Sequence, residues 1–347
     1  MTLKHQMLRV LASGVDTLQF SAHGELRPGV VADLERWRDQ AKAEGGRAPV
    51  TLWRTGTPFL VKDHGARGYS FVLTSDDMDV IACSGKDFPP VRVELRSAFL
   101  HSLGPGPAVA RVVEILTKDF FVSEPELLAS RVDLYADLQG WDLGPGHMER
   151  FITPATFRKE HYEAAVHQGR RLSGFQFGKS EIVARVYDKT LELSKSGKRW
   201  VWDIWGDAVD EDRPVWRLEF EFKRETVKRF QFADAAEVLW GLQDLWHYVT
   251  TDWLSYRTPT ADSRERRWPV DPIWDEVRAI QIVPRMTGLV RTREKELSEE
   301  RTLRLMQGCL TSLAALHGCL SFAEACERAG PLVAAQFEER GRSFAGA

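Results

Sequence analysis

Tyr187 is flanked by Arg185 and Lys189 near the end of the run from residue 174 to residue 189, and this spacing could do chemistry on a phosphodiester. In an extended strand alternate side chains share a face, so Arg185, Tyr187 and Lys189 are expected to point the same way. A phenol with a pKa of about 10 is a poor nucleophile at neutral pH. Neighbouring cations favour the phenolate as it attacks and offset charge on the phosphate. The plainer reading is that Tyr187 is one of six tyrosines, packed by its ring with a wet hydroxyl.

Four acids form a second candidate group. Asp133 and Asp137 fall in the run 130–137, and Glu219 and Glu221 in the run 215–223, both with period-two alternation. Carboxylate oxygens suit hard divalent ions such as Mg²⁺ or Mn²⁺, which polarise a phosphoryl oxygen and neutralise charge in the transition state. The plainer reading pairs these acids with Arg131, Arg217 and Lys223 on a solvated sheet face. The run from Gly174 to Ser180 ends in Gly-Lys-Ser like a phosphate-binding loop. A Walker loop places four residues between its glycines and leads into a helix, whereas here there are three, two of them aromatic, followed by β-branched residues. A hairpin turn is therefore expected. The histidines show no HxH or HExxH spacing, and His161 and His167 stand six apart.

These side chains need a sheet to hold them. Residues 14–21 alternate apolar and polar, and a helical pattern from about Pro28 to Glu44 ends at Gly45-Gly46. Short strand-like runs follow near residues 50–53, 59–62, 69–73, 80–82 and 91–95, separated by Gly, Pro and Asp, as in an antiparallel sheet. A helix from about Gly106 to Lys118 would cover one face. Strands at 130–137 and 215–223, with the hairpin between them, carry polar side chains on one face. From about Thr226 the period turns helical, interrupted by an Arg-rich stretch from Arg257 to Arg267. The expected division is a sheet-based catalytic part over 1–225 and a mainly helical part over 226–347, serving DNA binding or dimerisation.

The chain of 347 residues is 43% hydrophobic, enough for a large core. A formal charge of −3 argues against a protein that simply coats nucleic acid, while leaving room for a local basic site. The four cysteines include no CxxC pair, so neither a disulfide framework nor a zinc ribbon is suggested. No run approaches the roughly 18 apolar residues of a membrane span, and no leader pattern is present, so a cytoplasmic location is expected.

Taken together, residues 131–137, Gly178, the run from Arg185 to Lys189 and residues 217–221 resemble the replication initiation factor family, the Rep_trans group of rolling-circle initiators and related conjugative relaxases. The resemblance covers roughly residues 14 to 270. It implies an α+β fold: an antiparallel relaxase-like sheet, related to the HUH endonucleases but without their paired histidines, with covering helices and a helical C-terminal part. It puts Tyr187 on the nicking tyrosine, with Lys189 and Arg185 offsetting phosphate charge. It puts Asp133 and Glu219 on acidic positions that hold Mg²⁺ or Mn²⁺, with Asp137, Glu221 and Glu94 around them. The implied activity is nicking and closing of an origin through a 5′-phosphotyrosine link. The implied partners are single-stranded or cruciform origin DNA, a host helicase and a second copy of the chain in a homodimer, with no membrane. A relaxase of a mobile element and a DNA-binding regulator that does not cut are the alternatives, and a metal phosphodiesterase that uses water is a third.

Overall fold

A computed structural model describes residues 8–282 except 86, 166–168, 197, 199 and 233, and beyond them residues 310, 314, 317–319 and 321–339. It divides into two compact units, Met1–Arg285 and Met286–Ala347. The first is built on thirteen strands: β1 Arg9–His23, β2 Arg47–Thr51, β3 Pro58–Lys62, β4 Phe71–Thr74, β5 Met78–Ala82, β6 Val91–Leu95, β7 Glu126–Gln139, β8 Phe151–Ile152, β9 Arg158–Ala165, β10 Gly169–Phe177, β11 Ile182–Asp188, β12 Val215–Lys223 and β13 Ser255–Tyr256. Eleven of them form one sheet in the order β2-β3-β4-β5-β6-β1-β7-β12-β11-β10-β9, and β8 pairs with β13 apart from it. Every neighbouring pair in the large sheet is antiparallel. The expected α+β class with a large antiparallel sheet is what the chain adopts.

The two faces of the central strands differ in chemistry. On β7 and β12 the even-numbered residues Val132, Leu134, Ala136, Leu138, Trp216, Leu218, Phe220 and Phe222 face one side and are buried. Helices α6 (Arg224–Arg229), α7 (Ala235–Trp240), α8 (Leu242–Tyr248) and α9 (Pro272–Arg278) belong to this side, where the Trp246 ring meets Phe220 edge-on at 5.6 Å. Trp141, Phe151, Phe175, Tyr256 and Trp274 form an aromatic cluster against the same face. Removing each such ring from water is worth about 1.5–3 kcal/mol, which explains why these helices stay with the sheet. Compact units therefore divide after Arg285, later than the 225/226 boundary expected from the change of period.

Helices α2 (Ser97–Leu103), α4 (Lys189–Ser196) and α5 (Trp200–Trp205) pack on the opposite, polar face, at the end of β1, β11 and β12 nearest Val215. The remaining helices of this unit are α1 (Val30–Ala43) and α3 (Pro105–Ile115). Beyond Arg285 the described structure is chiefly α10 (Phe322–Glu339). The apolar tail around Leu303 to Leu320, which from its sequence could support a dimer or complete the core, lies mostly outside the described residues.

One expectation fails at the end of β11. The strand stops at Asp188, and Lys189 is the first residue of α4 rather than the next strand position. Asp188 causes the stop: its Oδ1 accepts the backbone N–H of Leu191 at 3.0 Å and the hydroxyl of Thr190, capping the first turn.

Candidate active site

The register of β11, β12 and β7 arranges the polar face in rows. Tyr187 lies opposite Arg217, which lies opposite Asp137; then come Arg185, Glu219 and Tyr135; then Val183, Glu221 and Asp133; and at the far end Lys223 faces Arg131. Residues two apart on a strand share a face, so all of these side chains meet on one surface. That surface is covered rather than solvated: Asp133, Asp137, Arg217, Glu219 and Glu221 are each at most 8% exposed.

The row of Arg217 is closed. Its guanidinium donates to both oxygens of Asp137, at 2.6 and 2.8 Å, and to Asp16 at 2.9 Å. Trp205, on α5, donates its indole N–H to the same Asp137 at 2.9 Å, and Ser97, at the start of α2, donates to Asp16. Burial works against the Arg217 charge, but Asp137 outweighs it and holds the guanidinium well above its ordinary pKa. Asp16 escapes a reading of the sequence because it sits in a bulge of β1, between Val15 opposite Leu134 and Thr17 opposite Asp133. An extra residue in one strand re-aims a side chain without leaving a mark in the alternation. Trp205 lacks a sequence signal as well, being one of twelve tryptophans.

Tyr187 stands beside this closed row. Its hydroxyl donates to Glu219 Oε2 at 3.1 Å. Arg185 bridges the two glutamates, donating to Glu219 at 3.0 Å and to Glu221 at 2.8 Å. Burial pushes the Tyr187 phenol well above its ordinary pKa and the Glu219 charge adds to this, with Arg217 opposing. The nearest partner of the phenol is thus a carboxylate, where cations alone were expected. Burial also raises Glu219, helped by the Asp16 charge, so this carboxyl has an increased affinity for a proton. Lys189, although on α4, keeps its ammonium 5.7 Å from the Tyr187 ring centre and pairs with Glu192 at 2.6 Å. Burial lowers its pKa, and Arg217 adds to that.

Gly174 on β10 faces Tyr187 directly. A Cβ there would come within 2.5 Å of the Val186 carbonyl oxygen and 2.9 Å of the Tyr187 Cβ, so only glycine lets the two strands meet at this point. Tyr187, Arg185, Gln176, His161 and Lys195 line a cavity of about 520 Å³ in front of it. The connection from Gly178 to Glu181 is a hairpin turn, as the count of residues implied, with Gly178 at φ 74°.

At the far end Arg131 binds both oxygens of Asp133 and reaches Glu221 at 3.3 Å, while Lys223 stands 3.6 Å from Glu221. Burial pushes the Asp133 carboxyl up to about 7, and the Glu219 and Glu221 charges add to it against the pull of Arg131. Burial would raise Glu221 too, but its bond to Arg185 and the Arg131 charge prevail and lower it. As a ligand set for Mg²⁺ or Mn²⁺ the four acids do not fit this arrangement. Asp137 is taken by Arg217 and Trp205, Asp133 by Arg131, and Glu219 and Glu221 by Arg185, and among the described residues no three His, Cys, Asp or Glu groups converge on a cation site. Glu94, on β6, accepts from Gln19 at 2.6 Å and lies 3.6 Å from Arg67, apart from the other acids. In the 257–267 segment Arg257 is spent internally on the Trp268 carbonyl and Ser255, while Arg264 and Arg266 are exposed.

No protein-family model matches the chain, and no curated protein matches its sequence. Among the described residues no helix is long and apolar enough to cross a membrane. Among solved structures, the rolling circle replication initiator protein from Geobacillus stearothermophilus is similar, with a TM-score of 0.51 and 17% identity over 81% of this chain and 100% of that one. At that identity the likeness is one of fold, and it extends across the whole of the other protein: this chain has a replication-initiator-like fold.

Proposed function

We propose that this chain is a DNA strand-transferase that starts rolling-circle replication, with Tyr187 as the nucleophile. The observation that carries the reading is the hydrogen bond from the Tyr187 hydroxyl to Glu219 at the wall of an open cavity, in a fold like that of a rolling circle initiator. A hydroxyl nucleophile held by a base whose affinity for protons is raised is the arrangement that general-base activation needs.

In the proposed reaction Tyr187 Oη attacks the phosphorus of a phosphodiester in an exposed single-stranded origin segment, and its proton passes to Glu219. The Oη–P bond forms as the P–O3′ bond breaks, and the departing 3′ oxygen takes a proton from water to become the 3′-OH that primes synthesis. The 5′ side stays on the protein as a phosphotyrosine diester. Because one phosphodiester replaces another, attack by a 3′-OH reverses the step and reseals a strand. Arg185, already fixed between Glu219 and Glu221, supplies a preorganised cation for the phosphate. Lys189 adds positive potential at the ring. No step is drawn through a divalent ion, since the acids are engaged by arginines.

The test is to incubate the chain with supercoiled DNA and with 5′- and 3′-labelled single strands that carry any inverted repeat beside its coding sequence. Relaxed circles and a protein-linked 5′ end are expected. Tyr187→Phe should abolish both; nicking by this variant at the wild-type rate would remove the assignment. A relaxase of a mobile element would perform the same step at a transfer origin. A regulator that grips DNA without cutting is favoured by the pairing of each acid in the site with a cation, and would bind the same strands with no covalent product.

A further inference from the structure

The polar face does not end at Glu221. Beyond it, where β12 passes to α6 and β6 lies next to β1, a second cavity of about 510 Å³ opens. Five cations line it: Arg67, Arg92, Arg131, Lys223 and Arg224. The acids that face them are Glu221 and, through Arg67 and Arg131, Glu94 and Asp133, so the cations are in excess. Arg224 has no carboxylate partner among the described residues. Arg92 rests on a neutral amide, Gln19. Burial, together with repulsion from Arg67 and Arg131, lowers the Arg92 pKa although Tyr69 and Glu94 oppose it, as expected where guanidinium groups outnumber the nearby anions.

Two aromatic rings complete the lining. Tyr69 is buried, while Phe88 is 46% exposed and leans on it with ring centres 5.5 Å apart. The geometry is held by a tight turn. Ala66 and Tyr69 pair across Arg67 and Gly68, whose φ angles of 54° and 85° are both left-handed, as a two-residue hairpin turn requires. A side chain at position 68 would press its Cβ to within 3.0 Å of the Phe88 ring, so Gly68 leaves the ring its seat. Arg67 is thereby presented beside an exposed aromatic face.

We propose that this second cavity is a binding site for single-stranded DNA, with a base stacked on Phe88 and the flanking phosphates held by Arg67, Arg92, Lys223 and Arg224. It rests on the reading that the substrate is DNA, and adds where a strand is gripped away from the point of attack. Cations that follow a backbone, joined to an aromatic platform that takes any base, are the combination by which proteins hold single strands. The two cavities are joined on one face by Arg131, Glu221 and Arg185, which form an unbroken chain of ion pairs between them. From Lys223 to Arg217, at the level of Tyr187, is six strand residues, or roughly 20 Å, so a strand lying in the second cavity reaches the tyrosine within a few nucleotides.

The experiment is fluorescence anisotropy of the full chain with a labelled thymidine oligonucleotide, and separately with a duplex, over a range of salt. Phe88→Ala is expected to weaken single-strand binding about tenfold and to leave duplex binding unchanged. Arg67→Glu and Arg224→Glu should each weaken it at least tenfold and lower the slope of log affinity against log salt by about 0.7 for each phosphate that is no longer neutralised. All three residues are exposed or half-exposed, and unfolding midpoints within a degree or two of wild type are required of each variant. The proposal is overturned if the wild-type chain does not bind the single strand, if the three variants bind as wild type, or if duplex is preferred and Phe88→Ala has no effect. Failure of the strand-transfer reading looks different: the variants then bind the single strand more weakly, but no covalent product forms with any origin.

Discussion

The neighbouring strands β7, β12 and β11 hold two arginine–carboxylate groups that differ in what surrounds them. Arg217 with Asp137 is shut in by α2 and α5, and the two side chains are 3% and 1% exposed. Arg131 with Asp133 and Arg185 with Glu219 and Glu221 keep their guanidinium groups 30% and 33% exposed over carboxylates that are buried. In the closed group cation and anion are both engaged, and removing either leaves a buried charge short of its main partner, Arg217 with only Asp16 or Asp137 with only the Trp205 indole. In the open group the cations have a free side, so a phosphate can bind there with no ion pair having to break first. One group is a fixed brace, and the other is a surface that can exchange partners.

The largest test of this difference is Asp137→Ala, which should cost about 3–5 kcal/mol in urea unfolding because the buried Arg217 loses its two-bond partner and keeps only Asp16. Asp133→Ala should cost less than about 1 kcal/mol, since Arg131 can turn to Glu221 or water. Equal losses would erase the distinction. Next comes Glu219→Gln, which keeps a hydrogen-bond acceptor for Tyr187 but removes the base. Formation of the protein–DNA link should fall about 10²–10⁴-fold with little change in stability, and an unchanged rate would take Glu219 out of the reaction. Gly174→Ala forces β10 away from Tyr187 and should cost about 1–3 kcal/mol, measured by thermal unfolding, together with loss of the covalent product.

The smallest effect is in pH. Asp133 titrates at about 7 in the folded chain against an ordinary value of 3.8, so the folded state holds the extra proton between these values. Its contribution is present at low pH and is lost as pH rises through about 7. Between pH 6 and 8 wild type should lose about 1 kcal/mol of stability that Asp133→Asn does not lose. A wild-type profile that is flat over this range, like that of Asp133→Asn, would show Asp133 to be an ordinary ion-paired carboxylate.

Much of the site was legible because strand alternation is a local property. The polar positions of β7, β11 and β12 could be assigned to one face from period two alone, and Tyr187, Arg185, Glu219 and Glu221 do meet there. Burial of that face was not legible, because the helices that cover it come from distant parts of the chain, Ser97–Leu103 and Trp200–Trp205. Period two put Asp137 on the same face as Asp133 and could not show that Trp205 and the covered Arg217 close over the one while the part-exposed Arg131 holds the other. The misplacement of Lys189 is a different kind of miss. Asp188 was a visible cap, and reading it would have ended the strand one residue earlier.

The turn from Gly178 to Glu181 joins β10 to β11 with Gly174 opposite Tyr187, and β11 then lies with Arg185 opposite Glu219. Slipping this pairing by a single residue would turn Tyr187 and Arg185 toward the aromatic cluster and bring Val186 and Ala184 to the polar side. The turn therefore works as a ruler. A chain that measures it wrongly has no weakened site, because it has none, and on the proposed reading strand transfer becomes a direct readout of whether the sheet has found its native registration.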